Sequence, residues 1–320
     1  MRRVLITGMG SELGTRVANL LEADESIEVV GVDSDPPRRR IRRAGFFRID
    51  PLDRVRLSNL VHEVDPTALV HAGVFEPNAR VGPGPAASWT EALGATTFDS
   101  VEQLGGSLER VVVRSGIEVY GRHRGGATRP DETAPRDPTS PFGRTLAGLE
   151  RRASDAGRAL GVPVTLLRCA PVVGSHLASP LGRYLRLPVV PVAIFDPAFS
   201  LVHLEDAAQA VVAALGVGYD GALNVVAPGA VTAWQAARIG GRLPVFVGGP
   251  AWLVARAITE TLGAPLPDHV RELLRRGRSA DGTLAIDVLG VEPRLTTPEV
   301  VKELYEWGEL AVFPVVEKAA

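Results

Sequence analysis

The stretch from Val4 to Gly14, VLITGMGSELG, decides the fold of this chain. It begins with a short apolar run that predicts a buried strand, and it ends in a glycine-rich turn. A helical apolar pattern follows from Thr15 to Ala23, and a second predicted strand, Ile27 to Val32, leads to Asp33. A strand, a glycine-rich turn, a helix and a strand that ends on an acid are typical of a dinucleotide-binding unit.

This unit predicts specific contacts with a cofactor. The turn would bring backbone N–H groups and the positive end of the helix dipole to a pyrophosphate. The acid, about 20 residues further on, would accept hydrogen bonds from the adenosine ribose hydroxyls. The residues that we assign to cofactor binding here are Gly8, Ser11, Leu13, Gly14 and Asp33. The alternative is a turn that packs a strand against a helix and binds nothing.

A cluster of arginines between Arg38 and Arg43 bears on the choice of cofactor. The cluster is either a clamp for the extra phosphate of NADP or a solvated basic turn. Because the Asp33 carboxylate would repel that phosphate, the sequence favours NAD over NADP.

The composition describes an ordinary globular protein. Apolar residues make up 45% of the 320, and the formal net charge of −2 gives no reason to expect nucleic acid or an anionic membrane as a partner. The one cysteine, Cys169, excludes an internal disulfide and fits a reducing cytoplasm. No apolar run approaches the roughly 18 residues of a membrane span. We expect no signal peptide before the first strand.

Strands and helices alternate along the first half of the chain. Further strands are predicted at 46–50, 68–72, 110–115 and 162–168, and helices at 53–64, 86–104 and 142–160. This alternation predicts an α/β fold with a doubly wound parallel sheet of the Rossmann type. We expect a dinucleotide-binding domain at 1–168 and a smaller, mixed α/β substrate-binding part at 169–320. Within the second part, about 199–226 should return to the sheet, 188–197 should be a loop or an edge strand, and the chain after 250 should be mostly helical.

Several short motifs follow one another in the order found in extended short-chain dehydrogenases/reductases. These are the NAD-dependent epimerases, dehydratases and decarboxylases of sugar nucleotides. The chain resembles them in Thr7-Gly8-x-x-Ser11-x-x-Gly14, with serine at the middle glycine, and in Val119-Tyr120-Gly121. Matching segments also lie at 49–53, 70–73, 138–150, 167–168, 201–206 and 223–225.

The resemblance covers nearly the whole chain and carries further expectations. It implies bound NAD, a nucleotide-sugar ligand and a homodimer formed by the two long helices at 86–104 and 142–160. Leu146, Leu149 and Leu160 would supply apolar surface to that dimer. It also extends the cofactor site to Asp50, Ala72, Gly73 and Ser115.

The catalytic positions of the family are changed in this chain. The family uses a tyrosine that removes a hydroxyl proton, a lysine four residues later, and a serine or threonine that hydrogen-bonds the same hydroxyl. These positions hold Phe142, Leu146 and Gly116, and the family's supporting asparagine aligns with Glu91. Phenylalanine has no proton to give or take, and no lysine precedes Lys302. The resemblance therefore implies an atypical active site.

Two catalytic candidates remain, Glu118 and Tyr120. Glu118 aligns with a glutamate of the related dehydratases and decarboxylases, which is the elimination base in the dehydratases. A carboxylate in a closed pocket can have its pKa raised into a working range. The alternatives are a structural hydrogen-bond acceptor for Glu118 and packing beside the substrate pocket for Tyr120. Substrate contacts are predicted at His203, from the resemblance, and at Arg144, which could bind a ribose or a phosphate.

Other polar residues carry no catalytic prediction. His71, at the end of a predicted strand, is interpreted as structural. Histidines and acids show no metal-ligand spacing, and Cys169 has no paired base nearby in sequence. We therefore expect neither a metal nor a thiol nucleophile.

Two functions stay open. One is an enzyme of the epimerase/dehydratase type that acts on a nucleotide sugar with bound NAD. The other is a cofactor-binding protein that has lost hydride chemistry and serves as a sensor or scaffold. The family-wide resemblance and Glu118 favour the first, whereas Phe142, Leu146 and Gly116 together favour the second.

Overall fold

Strands and helices alternate along the part of the chain that the computed structural model describes, residues 2–78, 80–104, 106–123, 125–174, 177, 179–249, 251–262, 264 and 266–306. The strands are β1 (Arg2–Thr7), β2 (Ile27–Asp33), β3 (Gly45–Arg48), β4 (Ala68–His71), β5 (Arg110–Gly116), β6 (Val164–Cys169), β7 (Val172–Val173), β8 (Val189–Ala193), β9 (Val202–His203), β10 (Gly221–Val225) and β11 (Leu243–Val247). The helices are α1 (Glu12–Leu21), α2 (Arg54–Val64), α3 (Pro83–Val101), α4 (Pro141–Leu160), α5 (Pro180–Leu185), α6 (Leu204–Val217), α7 (Ala233–Ile239), α8 (Ala251–Thr261), α9 (Asp268–Arg276), α10 (Thr283–Leu289) and α11 (Thr297–Glu306), with a 3-10 turn at Ile117–Tyr120.

Seven of the strands form one parallel sheet in the order β10-β6-β5-β4-β1-β2-β3. From β1 the chain extends the sheet through β2 and β3 on one side and through β4, β5 and β6 on the other. The helices pack as two groups, α2 with α3 and α4 in a row, and α1 with α6. The sheet is therefore doubly wound, and the predicted Rossmann-type α/β fold is confirmed.

The central strands are apolar because both of their faces are covered. Val4, Leu5 and Ile6 of β1 have no exposed surface, and all four residues of β4 are buried. The edge strand β3, by contrast, has no fully buried residue. The apolar run of β1 thus lies in the interior of the sheet, next to the central strand β4.

Helix α4 fixes the spacing of the positions that matter for the site. The Ser140 hydroxyl caps it by accepting a hydrogen bond from the Gly143 N–H at 3.1 Å, and proline occupies its first turn. A left-handed Gly161, with a φ of 67°, ends it. Phe142, Leu146 and Glu150 then follow one another at intervals of four, and so lie on one side of the helix.

A second hydrophobic cluster lies in the C-terminal half of the chain. It contains 22 buried apolar residues between Val173 and Leu304, contributed mainly by α5, β8, α7, α9 and α11. Strand β8 lies in the segment expected to be a loop or edge strand, and it pairs in parallel with β11, which the sequence did not predict. Strand β10 returns to the main sheet beside β6. The first cluster includes residues up to Leu289, and α10 packs against β10, so the division near residue 168 stays a prediction.

Membrane insertion finds no support among the described helices. None of them is both long enough and apolar enough to cross a bilayer.

Candidate functional site

The carboxyl ends of β1 and β4 mark the point where the two halves of the sheet diverge, which is where doubly wound sheets bind ligands. Gly8 follows β1 with a φ of 81°, in the region that favours glycine. A Cβ atom on Gly8 would lie 2.4 Å from the Gly73 nitrogen, and one on Gly73 would lie 2.2 Å from Leu93 of α3. The buried Ala72 donates its N–H to the Thr7 carbonyl at 2.8 Å. These glycines allow the turns after β1 and β4 to touch.

Ser11 has a definite role in the turn, as the cap of α1. Its hydroxyl accepts a hydrogen bond from the Gly14 N–H at 3.0 Å and donates one to the Gly8 carbonyl at 2.8 Å. A Cβ atom on Gly14 would lie 2.2 Å from the Gly8 oxygen, so this position tolerates no side chain. Leu13 is buried and anchors the first turn. The N–H groups of Glu12 and Leu13 have no acceptor within the helix and remain available to an anion.

Asp33 faces this turn from the end of β2. Its carboxylate accepts a hydrogen bond from the Gly10 N–H at 2.9 Å, and from Ser34 and Asp35 at 3.3 Å. Burial raises the pKa of the Asp33 carboxyl, against the lowering effect of these hydrogen bonds. A Cβ atom on Gly10 would lie 2.1 Å from the Asp35 carbonyl. Glycine at position 10 therefore lets the turn approach Asp33.

The backbone of the arginine cluster at 38–43 is fixed by hydrogen bonds to an acidic side chain. The buried Glu22 carboxylate accepts hydrogen bonds from the N–H groups of Arg42 and Arg43, each at 2.8 Å. The Arg38 guanidinium lies 3.9 Å from Asp35. Among the described residues, no arginine side chain pairs with Asp33, so its negative charge is not neutralised.

Asp50 lies just beyond β3, at the same edge of the sheet. Its side chain is exposed, and its Oδ1 accepts a hydrogen bond from the Leu52 N–H at 2.8 Å. The second oxygen of this exposed carboxylate has no protein partner among the described residues. Asp50 therefore lies at the edge of the sheet where the cofactor is predicted to bind, and its contact with adenine stays a prediction.

A narrow cavity of about 30 Å³ lies beside the end of β5. The three changed family positions, Gly116, Phe142 and Leu146, all line it, and so do Ser115 and Glu118. The remaining lining residues are Val74, Glu76, Arg114, Cys169, Ala170, Pro171, Val172, Ser179, Leu181, His269, Val270 and Leu273. The changes that the sequence revealed one by one are therefore neighbours in space.

Gly116 and Glu118 are coupled within this cavity. A Cβ atom on Gly116 would lie 2.2 Å from Oε2 of Glu118 and 3.1 Å from Cδ1 of Leu146. The Glu118 carboxylate thus fills the space that a side chain at position 116 would need. Its Oε1 lies 3.4 Å from Nη1 of the buried Arg278, whose Nη2 donates to Glu272 at 2.5 Å. A buried cation therefore lies between two carboxylates at the cavity.

Tyr120 belongs to a buried network and does not line the cavity. Its hydroxyl donates to Asn224 at 2.7 Å and accepts from Arg168 at 2.9 Å. Arg168 also pairs with both oxygens of Glu150, at 2.8 and 2.9 Å, and Ser115 donates to Glu150 at 2.7 Å. Burial raises the pKa of Tyr120. These contacts favour a structural role for Tyr120, and they occupy the Ser115 hydroxyl.

The two predicted substrate residues lie outside the cavity. His203 caps α6, and its Nε2 lies 3.0 Å from Glu303 of α11. Arg144 lines a groove between α3 and α4, together with the exposed Glu91. Substrate binding by either residue stays a prediction, and it requires a ligand that extends beyond the cavity.

His71 and Cys169 are buried and poorly reactive. Nδ1 of His71 lies 2.7 Å from the Thr7 hydroxyl, and its ring packs against Phe98. Burial lowers the pKa of His71 to about 4 and raises the pKa of Cys169 to about 12. The imidazole is thus neutral and the thiol protonated at neutral pH. Within the described ranges, no group of three or more histidines, cysteines and acids could hold a metal ion.

The sequence did not reveal several charged residues of the cavity. His269 pairs with Glu76, Arg278 pairs with Glu118, and Arg114 donates to the Val74 carbonyl at 3.1 Å. The available signal for His269 was its place beside Val270, Leu273 and Leu274 on the buried face of α9. A histidine on an apolar helix face is only a weak indication of a functional site. Its partner, Glu76, lies far away in sequence, so the sequence does not show that the two residues form a pair.

Comparison with known proteins places the chain among uncharacterised relatives. It is 30% identical over 325 residues to an uncharacterised protein of Mycobacterium tuberculosis (strain ATCC 25618 / H37Rv), with 98% of this chain and 85% of that protein covered. An uncharacterised protein of Mycobacterium bovis matches to the same extent.

The fold is similar to those of solved epimerases. A UDP-glucose 4-epimerase of Thermotoga maritima, solved with UDP-glucose, gives a TM-score of 0.75 at 21% identity, covering 95% of this chain and 98% of that one. A Thermus thermophilus UDP-glucose 4-epimerase, solved as a complex with NAD, gives 0.74 at 22% identity, covering 97% and 100%. A Bacillus cereus UDP-glucuronic acid 4-epimerase with UDP-glucuronic acid and NAD gives 0.74 at 17% identity, covering 95% and 98%.

The family follows from the sequence match. The model of the NAD dependent epimerase/dehydratase family matches residues 4–225, which is more than half of the chain and reaches every strand of the seven-stranded sheet. This chain therefore belongs to the NAD dependent epimerase/dehydratase family.

Proposed function

We propose that this protein is an atypical NAD-dependent enzyme that binds a nucleotide sugar in the cavity and uses Glu118 for proton transfer. The observation that carries the proposal is the place of the Glu118 carboxylate, which fills the space left free by Gly116. The structurally similar epimerases bind UDP-glucose, UDP-glucuronic acid or NAD in their solved complexes. The cavity lies at the end of β5, the edge of the sheet where doubly wound folds bind ligands, and it must widen to admit the sugar end of such a ligand.

The residues around β1 and β2 fit NAD. Gly8 and Gly14 leave no side chain over the turn, and the N–H groups of the first turn of α1 point to an anion site. Asp33 presents an unneutralised carboxylate, which suits ribose hydroxyls and disfavours the phosphate of NADP. When bound, NAD supplies a hydride acceptor for the chemistry of the family.

Glu118 is suited to act as a base. It is 5% exposed, and it lines the cavity with one oxygen near Arg278 and the other above Gly116. Arg278 approaches the first of these oxygens to 3.4 Å without a hydrogen bond, and its other terminal nitrogen donates to Glu272. The same cavity contains no tyrosine or lysine among its described lining residues.

A sensor or scaffold protein is the second candidate. Phe142 and Leu146 favour it, because they line the cavity with apolar groups at the positions that carry protons in the family. In that case the cavity would bind its ligand without turnover.

Calorimetry and absorbance together test the proposal. Titration with NAD, NADP and UDP-sugars should show tighter binding of NAD than of NADP, and binding of at least one UDP-sugar. Mixing protein, NAD and the bound sugar should give a signal of reduced nicotinamide or a converted sugar. Glu118→Gln should abolish conversion while binding is retained. Binding without any conversion in the unmodified protein would favour the sensor instead.

We also propose a homodimer and a cytoplasmic location. The groove between α3 and α4 is lined by small and charged residues such as Ala95, Gly148 and Arg152, and it offers a surface for a second copy. Of the leucines expected at that surface, Leu146 is buried within the subunit, Leu149 is 5% exposed and lines the groove, and Leu160 is partly buried. The location is supported only by the single buried thiol of Cys169.

A further inference from the structure

A second acid–base pair lines the cavity, and neither of its members belongs to the motifs of the family resemblance. His269 of α9 is 4% exposed, and its Nε2 lies 2.9 Å from Oε1 of Glu76 in the segment after β4. The His269 ring packs against Phe142, with ring centroids 4.6 Å apart. The pair therefore lies beside the position that has lost its phenolic hydroxyl.

The contact with Glu76 defines the chemistry of the imidazole. In a neutral histidine one ring nitrogen donates a hydrogen bond and the other accepts. With Nε2–H donated to the carboxylate, Nδ1 is the accepting nitrogen, and no described residue forms a hydrogen bond with it. A carboxylate partner fixes this tautomer and stabilises the imidazolium that forms when Nδ1 takes a proton.

We propose that His269, oriented by Glu76, transfers protons to and from a hydroxyl group of the sugar held in the cavity. The O–H bond breaks, the proton bonds to Nδ1, and the electron pair stays on the sugar oxygen. The resulting imidazolium is paired with Glu76, and the reverse transfer returns the proton. This inference rests on the proposed function, because it requires a sugar in the cavity.

The environment of the pair supports this role over a purely structural one. Phe142 covers one face of the imidazole and limits its contact with water. The pair joins α9 to a segment 193 residues away in sequence, at a cavity wall and not in a packed core. The other charged side chains of that wall are Glu118 and Arg114, and α9 also carries Asp268, Arg271 and Glu272.

The surface provides a matched control. His123 and Asp137 form a pair of the same kind, with Nε2 and Oδ2 2.9 Å apart, but their side chains are 49% and 69% exposed. His123→Gln therefore removes a histidine–carboxylate pair without touching the cavity.

The experiment compares unmodified protein with His269→Gln, Glu76→Gln and His123→Gln. Calorimetry measures binding of UDP-glucose and UDP-glucuronic acid in the presence of NAD, and product analysis measures kcat as a function of pH. NMR of ¹⁵N-histidine-labelled unmodified protein reports the Nδ1 signal of His269 with and without the sugar nucleotide. This last measurement does not depend on the folding of any variant.

The expected result has three parts. His269→Gln should lower kcat by about a hundredfold or more, the usual contribution of general acid–base catalysis, while binding is retained. In Glu76→Gln the ascending limb of the pH profile should move to lower pH, because the imidazolium loses its anionic partner. His123→Gln should behave as unmodified protein, and the ligand should shift the Nδ1 signal of His269.

Other results would overturn the inference in distinguishable ways. The role of His269 would be rejected, while the proposed function stands, by any of three results. These are an unchanged kcat in His269→Gln, an ascending limb of the pH profile that does not move in Glu76→Gln, and an Nδ1 signal that does not shift when the sugar nucleotide binds. Unmodified protein that binds neither NAD nor a sugar nucleotide would reject the proposed function, and the role of His269 with it.

Discussion

At the scale of single residues, Gly116 and Glu118 act as one change. The family position that carries a serine or threonine side chain is empty here, and the carboxylate two residues later occupies the vacated space. A glycine that looks like a simple loss in the sequence thus makes room for a charged group.

Gly116→Ala tests this coupling. The new Cβ would lie 2.2 Å from Oε2 of Glu118, so the carboxylate must leave its place near Arg278. We expect the free energy of unfolding to fall by about 1–3 kcal/mol, as for overpacking of a buried site. Urea unfolding measures it. Gly216→Ala is the control, since its Cβ meets nothing within 4 Å, and a loss there as large as at Gly116 would contradict the coupling.

Restoring the lost family residues is a second residue-scale test. Phe142→Tyr alone should give no more reduced nicotinamide than unmodified protein, because an unassisted phenol keeps a pKa near 10. With Leu146→Lys added, a cation one turn away lowers that pKa, and we expect reduction of NAD by a sugar nucleotide to rise above the level of unmodified protein. Absorbance detects the product, with calorimetric binding of the sugar as the control. Equal activity of the single and double variants would contradict the prediction.

Asp33 predicts a pH dependence in the protein without cofactor. Because burial raises the pKa of this carboxyl in the folded state, its contribution to stability is full below its ordinary pKa of about 4 and is lost as pH rises through the folded-state pKa. In Asp33→Asn this loss disappears, so the free energy of unfolding should fall less between pH 4 and 7 than it does in unmodified protein. Urea unfolding across that pH range measures this difference. The same pH dependence in both proteins would contradict the prediction. The same variant should bind NAD more weakly by about 1–3 kcal/mol.

At the scale of elements, α4 and β6 are joined by a buried ion pair. Glu150 is fully buried and pairs with Arg168, which also binds the Tyr120 hydroxyl. Glu150→Gln should lower the free energy of unfolding by about 3–5 kcal/mol, because the arginine keeps its charge without a partner. Asp99→Asn removes half of the exposed pair with Arg152 and should cost about 1 kcal/mol or less. Thermal unfolding measures the loss of stability in both variants. An equal loss in Glu150→Gln and Asp99→Asn would contradict the prediction.

Elements near the start of the chain were predictable, because local pattern and burial agree there. The apolar run at Val4–Ile6 and the glycine-rich turn after it predicted β1, α1 and the edge of the sheet where the cofactor is expected to bind. Helix α4 begins within one residue of its predicted start, since Ser140 and Pro141 are strong local signals. Strand β11 was missed because it contains a proline, Pro244, and because its partner β8 lies 54 residues earlier in the pairing Leu243 with Val189.

The cavity was predictable only in part, for a related reason. Glu118, Phe142 and Leu146 belong to motifs with fixed spacing, so a resemblance could locate them. His269 and Glu76 come from segments 193 residues apart, and only the tertiary packing of α9 brings them to the same wall. No spacing rule links residues that meet through tertiary contacts alone.

At the scale of the whole molecule, we predict a homodimer through the groove between α3 and α4. Sedimentation equilibrium at micromolar concentration should give twice the monomer mass of 33.9 kDa. Gly148→Arg would place a long charged side chain in that groove, where an added Cβ atom would lie 3.9 Å from Nη2 of Arg151, and should yield monomers. Gly216→Ala, outside the groove, should remain a dimer. A monomeric parent protein would contradict the prediction.

The wall of the cavity draws on both hydrophobic clusters. Leu146 and Ala170 belong to the first, and Leu181, Val270 and Leu273 belong to the second. A ligand held there touches both, so its binding energy is lost when either cluster unfolds. Occupancy should therefore couple the unfolding of the two clusters, so that the bound molecule contributes to the folding cooperativity of the chain.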